Sequence, residues 1–448
     1  MGPALNYLWV TLESDATRPV LWQAGRDIDR GELLREITAL QASLEKQGLP
    51  GGAVVGFTGD YGLELVATFL ALFRLGAVAV PFSPGAAAER NALGAQAQLE
   101  WWFDVESRRL ERVSAEKADH PLLAGLRAAG HPGLVVFTSG STGKPKAILH
   151  DVERVAGKFT QPRPGWRMVL FLLPDHFGGF NTLLACLAYG GVGVCAPGRT
   201  PDEVCAAIES ARADLLPATP TFLSLLIASG AWRRHDLASI RLVTYGAEPM
   251  PESTLKRLPQ LFPNAEFKQT YGLSELGVLQ SASASSESLW LRVGGRQFET
   301  RVVDGVLHIR SASSMLGYLN APSPIDADGW MNTGDLVEQK DGLIRIVGRA
   351  SDVINVGGQK VFPVEVESVL QEHPAIAEAT VHAIAHPVLG QVAGARLTLL
   401  DGAGEQDAVL ADVKAHCKSR LQKYKVPMRW EIVALGQHGS ERGKKMRR

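Results

Sequence analysis

The sequence predicts an α/β fold: a large N-terminal domain of parallel-rich sheets with helices, a small barrel-like piece, and a small α+β C-terminal domain. Three observations predict it. Apolar strands alternate with amphipathic helices up to residue 305, short strands joined by Asp-Gly turns follow, and a mixed segment closes the chain. We place the large domain at residues 1–348, a hinge at residues 349–352 and the small domain at residues 353–448.

The first elements repeat the order strand, helix, strand. Leucine and isoleucine recur every three or four residues in the predicted helices, and short apolar runs mark the strands. The predicted elements are a helix at residues 30–47, a strand at 53–57, a helix at 63–75 and a strand at 77–81 that Pro81 ends. A helical crossover between strands predicts a parallel pair. The pattern recurs over residues 168–196 and from residue 240.

In the C-terminal third, the alternation of strands and helices gives way to short strands joined by turns. Short strands joined by turns such as Asp341-Gly342 predict the barrel-like piece, and these strands lie at residues 306–310, 336–339 and 343–347. The last domain is predicted to contain strands at residues 353–356, 379–384, 395–400 and 429–433, with helices at residues 363–372 and 405–421.

Composition limits the class of protein. Hydrophobic residues make up 46% of the 448 residues and charged residues 21%, which excludes a disordered or collagen-like chain. The net charge of −1 gives no reason to expect a nucleic-acid partner. Four cysteines without a C-x-x-C pair favour a reducing, cytoplasmic setting. The most apolar stretch is interrupted by Glu64, Arg74 and Pro81, so no membrane span is expected.

One loop has the composition of a phosphate-binding site. It follows an apolar strand and contains Thr138, Ser139, Gly140, Ser141, Thr142, Gly143, Lys144 and Lys146. Glycines let backbone N–H groups turn toward one point, while hydroxyls and lysines add donors and positive charge. It differs from a Walker loop, because two residues separate the glycines and Pro145 follows Lys144. The alternative is an exposed turn rich in serine and glycine.

Further segments follow that loop in a recognisable order. They are Gln269-Thr270-Tyr271-Gly272-Leu273-Ser274-Glu275, Asn332-Thr333-Gly334-Asp335, Gly348-Arg349-Ala350-Ser351-Asp352-Val353-Ile354 and Gly443-Lys444-Lys445-Met446-Arg447. The ordered set resembles the motifs of the adenylate-forming superfamily: acyl- and aryl-CoA synthetases, luciferases and peptide-synthetase adenylation domains. The resemblance implies activation of a carboxylic acid by ATP and Mg²⁺, with a mobile C-terminal domain.

The same resemblance implies roles for individual residues at the phosphates. The glycine-rich loop would bind the phosphates of ATP, Ser274 would hydrogen-bond the α-phosphate, and Glu275 would hold Mg²⁺. Lys444 would contact the incoming carboxylate and the phosphate. Two alternatives stay open: Lys444 is part of an exposed basic tail without a catalytic role, or the neighbouring Lys445 is the lysine that the motif requires.

The nucleoside would be bound by other motif residues. Asp335 would accept hydrogen bonds from the ribose, and Arg349 would fix the ribose or phosphate. The adenine contacts implied by the resemblance are Gly246, Ala247, Glu248, Tyr271 and Gly272. Ser351 stands where relatives usually carry an Asp or Lys pivot, and we take it as the hinge residue.

The Pro174-Asp175-His176-Phe177-Gly178-Gly179-Phe180-Asn181 segment resembles the aromatic/His gate of the same family, and the resemblance implies that the acid pocket lies there. We expect His176 to act on the carboxylate, with Phe177, Asn181 and Tyr245 lining the pocket. The alternative for His176 is a loop histidine without a role in the reaction. A separate alternative is that Asp175 faces an amine of the substrate.

The sequence therefore predicts an acid-thiol ligase acting on a small carboxylic acid. The acyl group would pass from the adenylate to coenzyme A or to the phosphopantetheine of an acyl carrier protein. Other acceptors, such as an amine or nitrite, remain open. The alternative from a different class is a nucleotide-binding regulatory protein without catalysis. His382 and His386 share a strand face about 13 Å apart and are not expected to bind a metal.

Overall fold

The computed structural model describes residues 2–138, 145–295, 297–400, 402–434 and 437–438. Its α-helices are α1 (Pro3–Glu13), α2 (Arg30–Lys46), α3 (Leu63–Arg74), α4 (Arg90–Gln96), α5 (Pro121–Ala129), α6 (Val152–Ala156), α7 (Phe177–Ala188), α8 (Pro201–Ala211), α9 (Pro220–Ser229), α10 (Glu252–Leu261), α11 (Pro363–Gln371) and α12 (Gln406–Arg420).

The first group of strands builds the large domain. These strands are β1 (Pro19–Gln23), β2 (Arg26–Asp29), β3 (Val54–Thr58), β4 (Val78–Phe82), β5 (Trp101–Asp104), β6 (Arg109–Arg112), β7 (Gly133–Thr138), β8 (Lys146–Asp151), β9 (Arg167–Val169), β10 (Val192–Val194), β11 (Leu215–Ala218), β12 (Leu242–Tyr245) and β13 (Glu266–Gln269).

The remaining strands lie in the C-terminal half. They are β14 (Tyr271–Leu273), β15 (Gly277–Leu279), β16 (Ser281–Ser283), β17 (Leu291–Val293), β18 (Phe298–Val303), β19 (Val306–Ser311), β20 (Gly317–Tyr318), β21 (Trp330–Lys340), β22 (Leu343–Arg349), β23 (Ile354–Val356), β24 (Gln359–Val361), β25 (Ile376–His386), β26 (Gly390–Leu399) and β27 (Arg429–Ile432).

Two sheets with parallel centres form the large domain. In one, the strand order is β13-β12-β11-β9-β10-β1-β2, and every pairing except β1–β2 is parallel. In the other, the order is β20-β8-β7-β4-β3-β5-β6, with parallel pairing from β7 to β5 and antiparallel edges. Strand β4 is buried along its whole length, as expected for a parallel strand with both faces covered. The prediction of parallel-rich sheets with helices is confirmed.

A third sheet is antiparallel and corresponds to the predicted barrel-like piece. Its strand order is β16-β17-β22-β21-β19-β18. Its inner side buries Leu291, Phe298 and Ile309 together with Tyr271 from the neighbouring β14–β15 hairpin. The chain then enters a smaller C-terminal domain, in which β24-β23-β26-β25 form a sheet, β27 adds to β26, and α11 and α12 contribute to its own apolar core. This also agrees with the predicted architecture.

Two element boundaries differ from prediction for identifiable reasons. Pro81 does not end its strand, because β4 continues to Phe82 and Pro81 pairs with Phe57 of β3. The proline is tolerated because β7 pairs with β4 only at Val78 and Ala79, so Pro81 lies beyond that ladder. Strand β21 is longer than predicted, which places Asp335 within a strand rather than in a turn.

The two domains touch along helices. Helices α9 and α10 of the large domain pack against β25 and α11 of the small one. The turn Ala350–Asp352, which connects the two domains, buries none of its side chains. The connection is therefore not packed into the core of either domain. Among the described residues, none of the helices combines the length and the apolar character that crossing a membrane requires.

Helix α1 is held by a carboxylate from a distant part of the chain. Gly2 provides no side-chain cap, and the amides of Ala4 and Leu5 donate instead to Glu153 Oε1 and Oε2 at 2.6 and 3.0 Å. Glu153 is 8% exposed. A buried carboxylate at a helix N-terminus satisfies two otherwise unpaired donors and interacts favourably with the helix dipole.

We expect Glu153→Ala to lower the free energy of unfolding by about 1–3 kcal/mol, since it leaves those two amides unsatisfied. Urea unfolding would measure the loss. The matched control is Glu13→Ala, which removes only a half-exposed ion pair with Arg74 at 3.5 Å and should cost less than about 0.5 kcal/mol. Equal losses in the two variants would contradict the capping role.

Candidate active site

A cavity of about 460 Å³ opens at the carboxyl ends of the parallel strands. Pro217 and Ala218 of β11, Thr244 of β12 and the residues directly after β12 and β13 form one wall. The end of β7, the start of β8, helix α7 and the β14–β15 hairpin contribute the others. In open α/β sheets, ligands bind in the crevice outside the carboxyl ends of the strands, so this cavity is the candidate active site.

One end of the cavity combines a cation, hydroxyls and a carboxylate. Thr138 and Lys146 lie on its wall, as do Ser274 and Glu275. The Tyr318 hydroxyl donates to Glu275 Oε1 at 2.8 Å, and Lys146 Nζ lies 4.9 Å from the centre of the Tyr318 ring. Burial and the Glu275 carboxylate raise the pKa of Tyr318, which keeps it a proton donor. The arrangement suits a phosphate group accompanied by a cation.

The chemistry of Glu275 fits Mg²⁺. Its Oε1 is occupied by Tyr318, while no hydrogen bond from the described residues reaches Oε2. Those residues hold no cluster of three or more metal-ligating side chains. Mg²⁺ is commonly held by one or two carboxylates together with substrate phosphates, so a single carboxylate beside a phosphate-binding wall is sufficient.

Asp335 is the most heavily supported carboxylate of the site. It is 6% exposed, and its two oxygens accept from the Tyr271 hydroxyl at 2.5 Å and from Arg349 Nε at 3.1 Å. The Thr333 hydroxyl accepts from the Asp335 amide at 3.1 Å. Burial raises the pKa of Asp335, and the Arg349 guanidinium opposes that shift. Arg349 and Thr333 line the cavity, so this network joins its wall.

The backbone after β12 approaches its neighbours closely. A Cβ on Gly246 would lie 2.4 Å from Thr270 Oγ1, so glycine is required there. Ala247 adopts a φ of 70°, which is unfavourable for a residue with a side chain. Gly246, Ala247 and Gly272 all line the cavity, as the sequence predicted.

Asp335 itself is not among the residues that line the cavity, and three further predicted contact residues lie elsewhere. The Tyr271 ring is packed in the core of the antiparallel sheet and its hydroxyl binds Asp335, so it does not face the cavity as an adenine-stacking ring would. Tyr245 is 1% exposed and belongs to the core around α9 and α10, because the alternation along β12 turns it inward. Glu248 accepts from the Thr221 amide at 2.9 Å, near the start of α9, rather than lining the cavity.

The start of α7 contributes another part of the cavity wall, which includes the apolar ring of Phe177. His176, Phe177 and Asn181 line the cavity there, as predicted. His176 is also the N-cap of that helix, its Nδ1 accepting from the Gly178 amide at 3.2 Å. Asp175 is 4% exposed and accepts from the Ser83 amide at 3.1 Å; it is not part of the cavity wall, so it does not face a substrate amine there.

Sequence reasoning missed two basic residues behind this part of the wall. His150 is fully buried and its ring centre lies 4.5 Å from that of Phe177; burial lowers the pKa of His150 to about 3. Lys158 follows α6, donates to Asn181 Oδ1 and to the Val278 carbonyl, and has its pKa lowered by burial to about 7. No local pattern marks either residue, because both reach the site through tertiary packing.

Several predicted residues are not part of the described structure. These are Ser139, Gly140, Ser141, Thr142, Gly143 and Lys144 of the glycine-rich loop, and Lys444 with its neighbour Lys445. The described ends of that loop, Thr138 and Lys146, both line the cavity. Ser351 lies exposed in a 3-10 turn after β22, where its hydroxyl donates to Asp352 Oδ1 at 2.9 Å.

Comparisons with known proteins agree with this architecture. Residues 94–319 match the family model of the AMP-binding enzyme, and residues 365–441 match that of the AMP-binding enzyme C-terminal domain. The chain is 26% identical to 4-coumarate-CoA ligase 1 of Narcissus pseudonarcissus, covering 94% of this chain and 88% of the relative. It is 27% identical to the medium/long-chain-fatty-acid–[acyl-carrier-protein] ligase FadD10 of Mycobacterium tuberculosis, covering 89% and 84%. The solved amide bond synthetase McbA of Marinactinospora thermotolerans superposes with a TM-score of 0.78 at 24% identity, covering 96% of each chain.

The two displaced tyrosines provide a matched pair of substitutions. Tyr271→Phe removes the buried donor to Asp335 and should lower the free energy of unfolding by about 1–3 kcal/mol. The Tyr245 hydroxyl is buried without a hydrogen-bond partner among the described residues, so Tyr245→Phe should cause no loss. Denaturant unfolding of both variants measures the difference. A larger loss for Tyr245→Phe would show that the Tyr271–Asp335 contact is not the stabilising one.

Proposed function

The chain belongs to the AMP-binding enzyme family, and from that membership we propose that it activates a small carboxylic acid with ATP and transfers it to a thiol. The first step would form an acyl-adenylate and release pyrophosphate. The observation that carries the proposal is one cavity whose lining combines phosphate-type ligands, Lys146, Ser274 and Glu275, with apolar side chains such as Met168, Leu172 and Phe177. The resemblance on which the sequence prediction relied is confirmed by the family matches.

The chemical obstacle is the repulsion between two anions. A carboxylate must attack the negatively charged α-phosphate, so the enzyme must align both groups and neutralise the charge that develops. Lys146 and the hydroxyl of Ser274 are placed to bind phosphate oxygens on the cavity wall. Bound at Glu275, Mg²⁺ would supply further positive charge to the phosphates.

Asp335 and Arg349 are proposed to bind the ribose. The two carboxylate oxygens of Asp335 offer about four acceptor positions, of which Tyr271 and Arg349 occupy two. The remaining lone pairs can accept from ribose hydroxyls. Since burial raises the pKa of Asp335, its carboxylate form is lost at a higher pH than that of an ordinary aspartate as the pH falls. The ribose contact would weaken over the same range.

His176 and Phe177 are proposed to border the acid. His176 uses Nδ1 for the α7 cap, which fixes the orientation of its ring at the cavity wall. Phe177 is 2% exposed and backed by His150, so it forms a rigid apolar surface. The acyl or aryl group would pack against this surface, with its carboxylate directed toward the phosphate end.

The small domain is proposed to rotate about residues 349–352, with Ser351 as the pivot. Strand β22 belongs to the antiparallel sheet, whereas β23, which starts two residues after the turn, belongs to the core of the C-terminal domain. The turn between them buries no side chain, so changing its dihedral angles disrupts no core. Such a rotation would bring Lys444 to the cavity for the first step and withdraw it for the second.

Coenzyme A is the acceptor we favour, because 4-coumarate-CoA ligase 1 is similar over most of this chain. FadD10 is named as a ligase for an acyl carrier protein, which supports a carrier-protein phosphopantetheine as the second candidate. The fold similarity to an amide bond synthetase adds an amine as a third acceptor to be tested.

Pyrophosphate release with a panel of aryl, short-chain, long-chain and amino acids tests the proposal. We expect release that requires both ATP and one class of acid, and a thioester product when coenzyme A is added. A carrier protein or an amine in place of coenzyme A identifies the other acceptors by mass spectrometry. ATP binding without pyrophosphate release for every acid would show instead a nucleotide-binding regulatory protein.

Lys444→Ala should reduce acid-dependent ATP–pyrophosphate exchange by about 100-fold or more, while ATP binding is retained, because one positive donor to the developing charge is lost. The matched control is Lys445→Ala in the same basic tail. If exchange is lost only in Lys445→Ala, then Lys445 rather than Lys444 is the lysine that acts in the first step. Full exchange in both variants would refute the assignment of a C-terminal lysine to the first step.

A further inference from the structure

The amide of Asn181 is held in one orientation by a lysine behind the cavity wall. Lys158 Nζ donates to Asn181 Oδ1 and, at 3.2 Å, to the Val278 carbonyl. A lysine nitrogen that donates must face the oxygen of the amide, so the amide nitrogen of Asn181 is turned to the opposite side. Asn181 and Val278 line the cavity whereas Lys158 does not.

Asn181 lines the cavity, and its amide nitrogen is the donor atom that Lys158 leaves unused. Within the described structure, no protein acceptor is hydrogen-bonded to Asn181 Nδ2. The next residue, Thr182, also lines the cavity, but its hydroxyl donates to the Gly178 carbonyl at 2.8 Å and is already used within α7. The cavity lining also includes apolar side chains, among them Met168, Leu172 and Val278. A fixed donor in a partly apolar cavity is typical of a specificity contact.

The electrostatics around Lys158 favour an electron-rich group at this position. In the described structure Lys158 donates to two neutral oxygens, Asn181 Oδ1 and the Val278 carbonyl, and the rings of Phe159 and Phe177 lie 5.0 and 5.9 Å from its nitrogen. His150, buried nearby, carries no positive charge near neutral pH because its pKa is lowered. Burial lowers the pKa of Lys158 to about 7, so its protonated form prevails below about pH 7. In that form the lysine polarises the Asn181 amide and makes its N–H groups stronger donors.

We propose that Asn181, oriented by Lys158, selects acids that carry an oxygen hydrogen-bond acceptor apart from the carboxylate that is activated. The acceptor can be a hydroxyl, a carbonyl or a second carboxylate, and Lys158 acts as a positioning residue. The inference rests on the proposed acid activation and names the substrate class of that site. A site built to bond a polar group rejects an analogue lacking it, because its own donor is then left unpaired.

Matched pairs of acids test the inference. The probes are benzoate with its three monohydroxy derivatives, 3-phenylpropionate with its ring-hydroxylated forms, and hexanoate with adipate. For each pair, kcat/KM for acid-dependent pyrophosphate release is measured, and the ratio of acceptor-bearing to plain acid is compared. We expect at least one pair to show a ratio of about 10- to 100-fold in the wild-type enzyme. The pairs distinguish a hydroxyl from a second carboxylate as the acceptor.

Substitutions separate recognition from folding. Asn181→Leu should bring the ratio to near one, because it lowers kcat/KM for the acceptor-bearing acid much more than kcat/KM for the plain acid. Asn181→Asp has nearly the same shape and can still bind Lys158, but it presents an oxygen to the cavity and should invert the preference. Lys158→Met should reduce the ratio and Lys158→Arg should restore part of it. Thr182→Val is the control and should leave the ratio unchanged.

The outcomes can be told apart. Pyrophosphate release with ratios within about 3-fold of one for every pair overturns this inference and leaves the proposed function standing. A wild-type ratio retained in both Asn181 variants also overturns it. Absence of pyrophosphate release with any acid refutes the proposed function, and the inference with it.

Discussion

Parallel pairing of β11, β12 and β13 is the constraint on which the site depends. Parallel strands end at one edge of the sheet, so the segments that follow them must meet there. This brings Ala218, Gly246 and Thr270 to one wall although they are far apart in sequence. The helices that connect the strands cover both faces of the sheet, which leaves the carboxyl edge as the place where a crevice can open.

The two buried ionisable side chains at the site, Asp335 and Lys158, have different kinds of partners. A tyrosine hydroxyl and an arginine offset part of the desolvation of Asp335, whose pKa nevertheless remains raised by burial. Lys158 has only neutral acceptors and aromatic rings around it in the described structure, and its pKa falls to about 7. In the proposed function, Asp335 supports the ribose with the acceptor positions that Tyr271 and Arg349 leave free. The protonated form of Lys158, which donates only to neutral oxygens, would attract an electron-rich group of the acid.

How far the sequence predicts the site depends on the kind of residue. Six residues of the segments that resemble family motifs line the cavity: Gly246, Gly272, Ser274, Glu275, His176 and Phe177. Their roles there stay predictions that the resemblance implies. Tyr245 and Tyr271 were misplaced, since a strand presents alternate residues to opposite sides and a motif does not reveal which side is the core. Prediction also missed Tyr318, whose bond to Glu275 spans 43 positions along the chain.

The sequence by itself determined the α/β class, the order of the elements and the phosphate-type motifs, because apolar periodicity and local turn chemistry act over a few residues. Only the tertiary structure decided that Lys158 fixes the Asn181 amide and that Tyr271 supports Asp335 instead of facing the cavity. Both depend on contacts between segments that are separate in the chain. Whether a polar group becomes a ligand contact or a buried support is set by what packs around it, through the cost of leaving it unpaired.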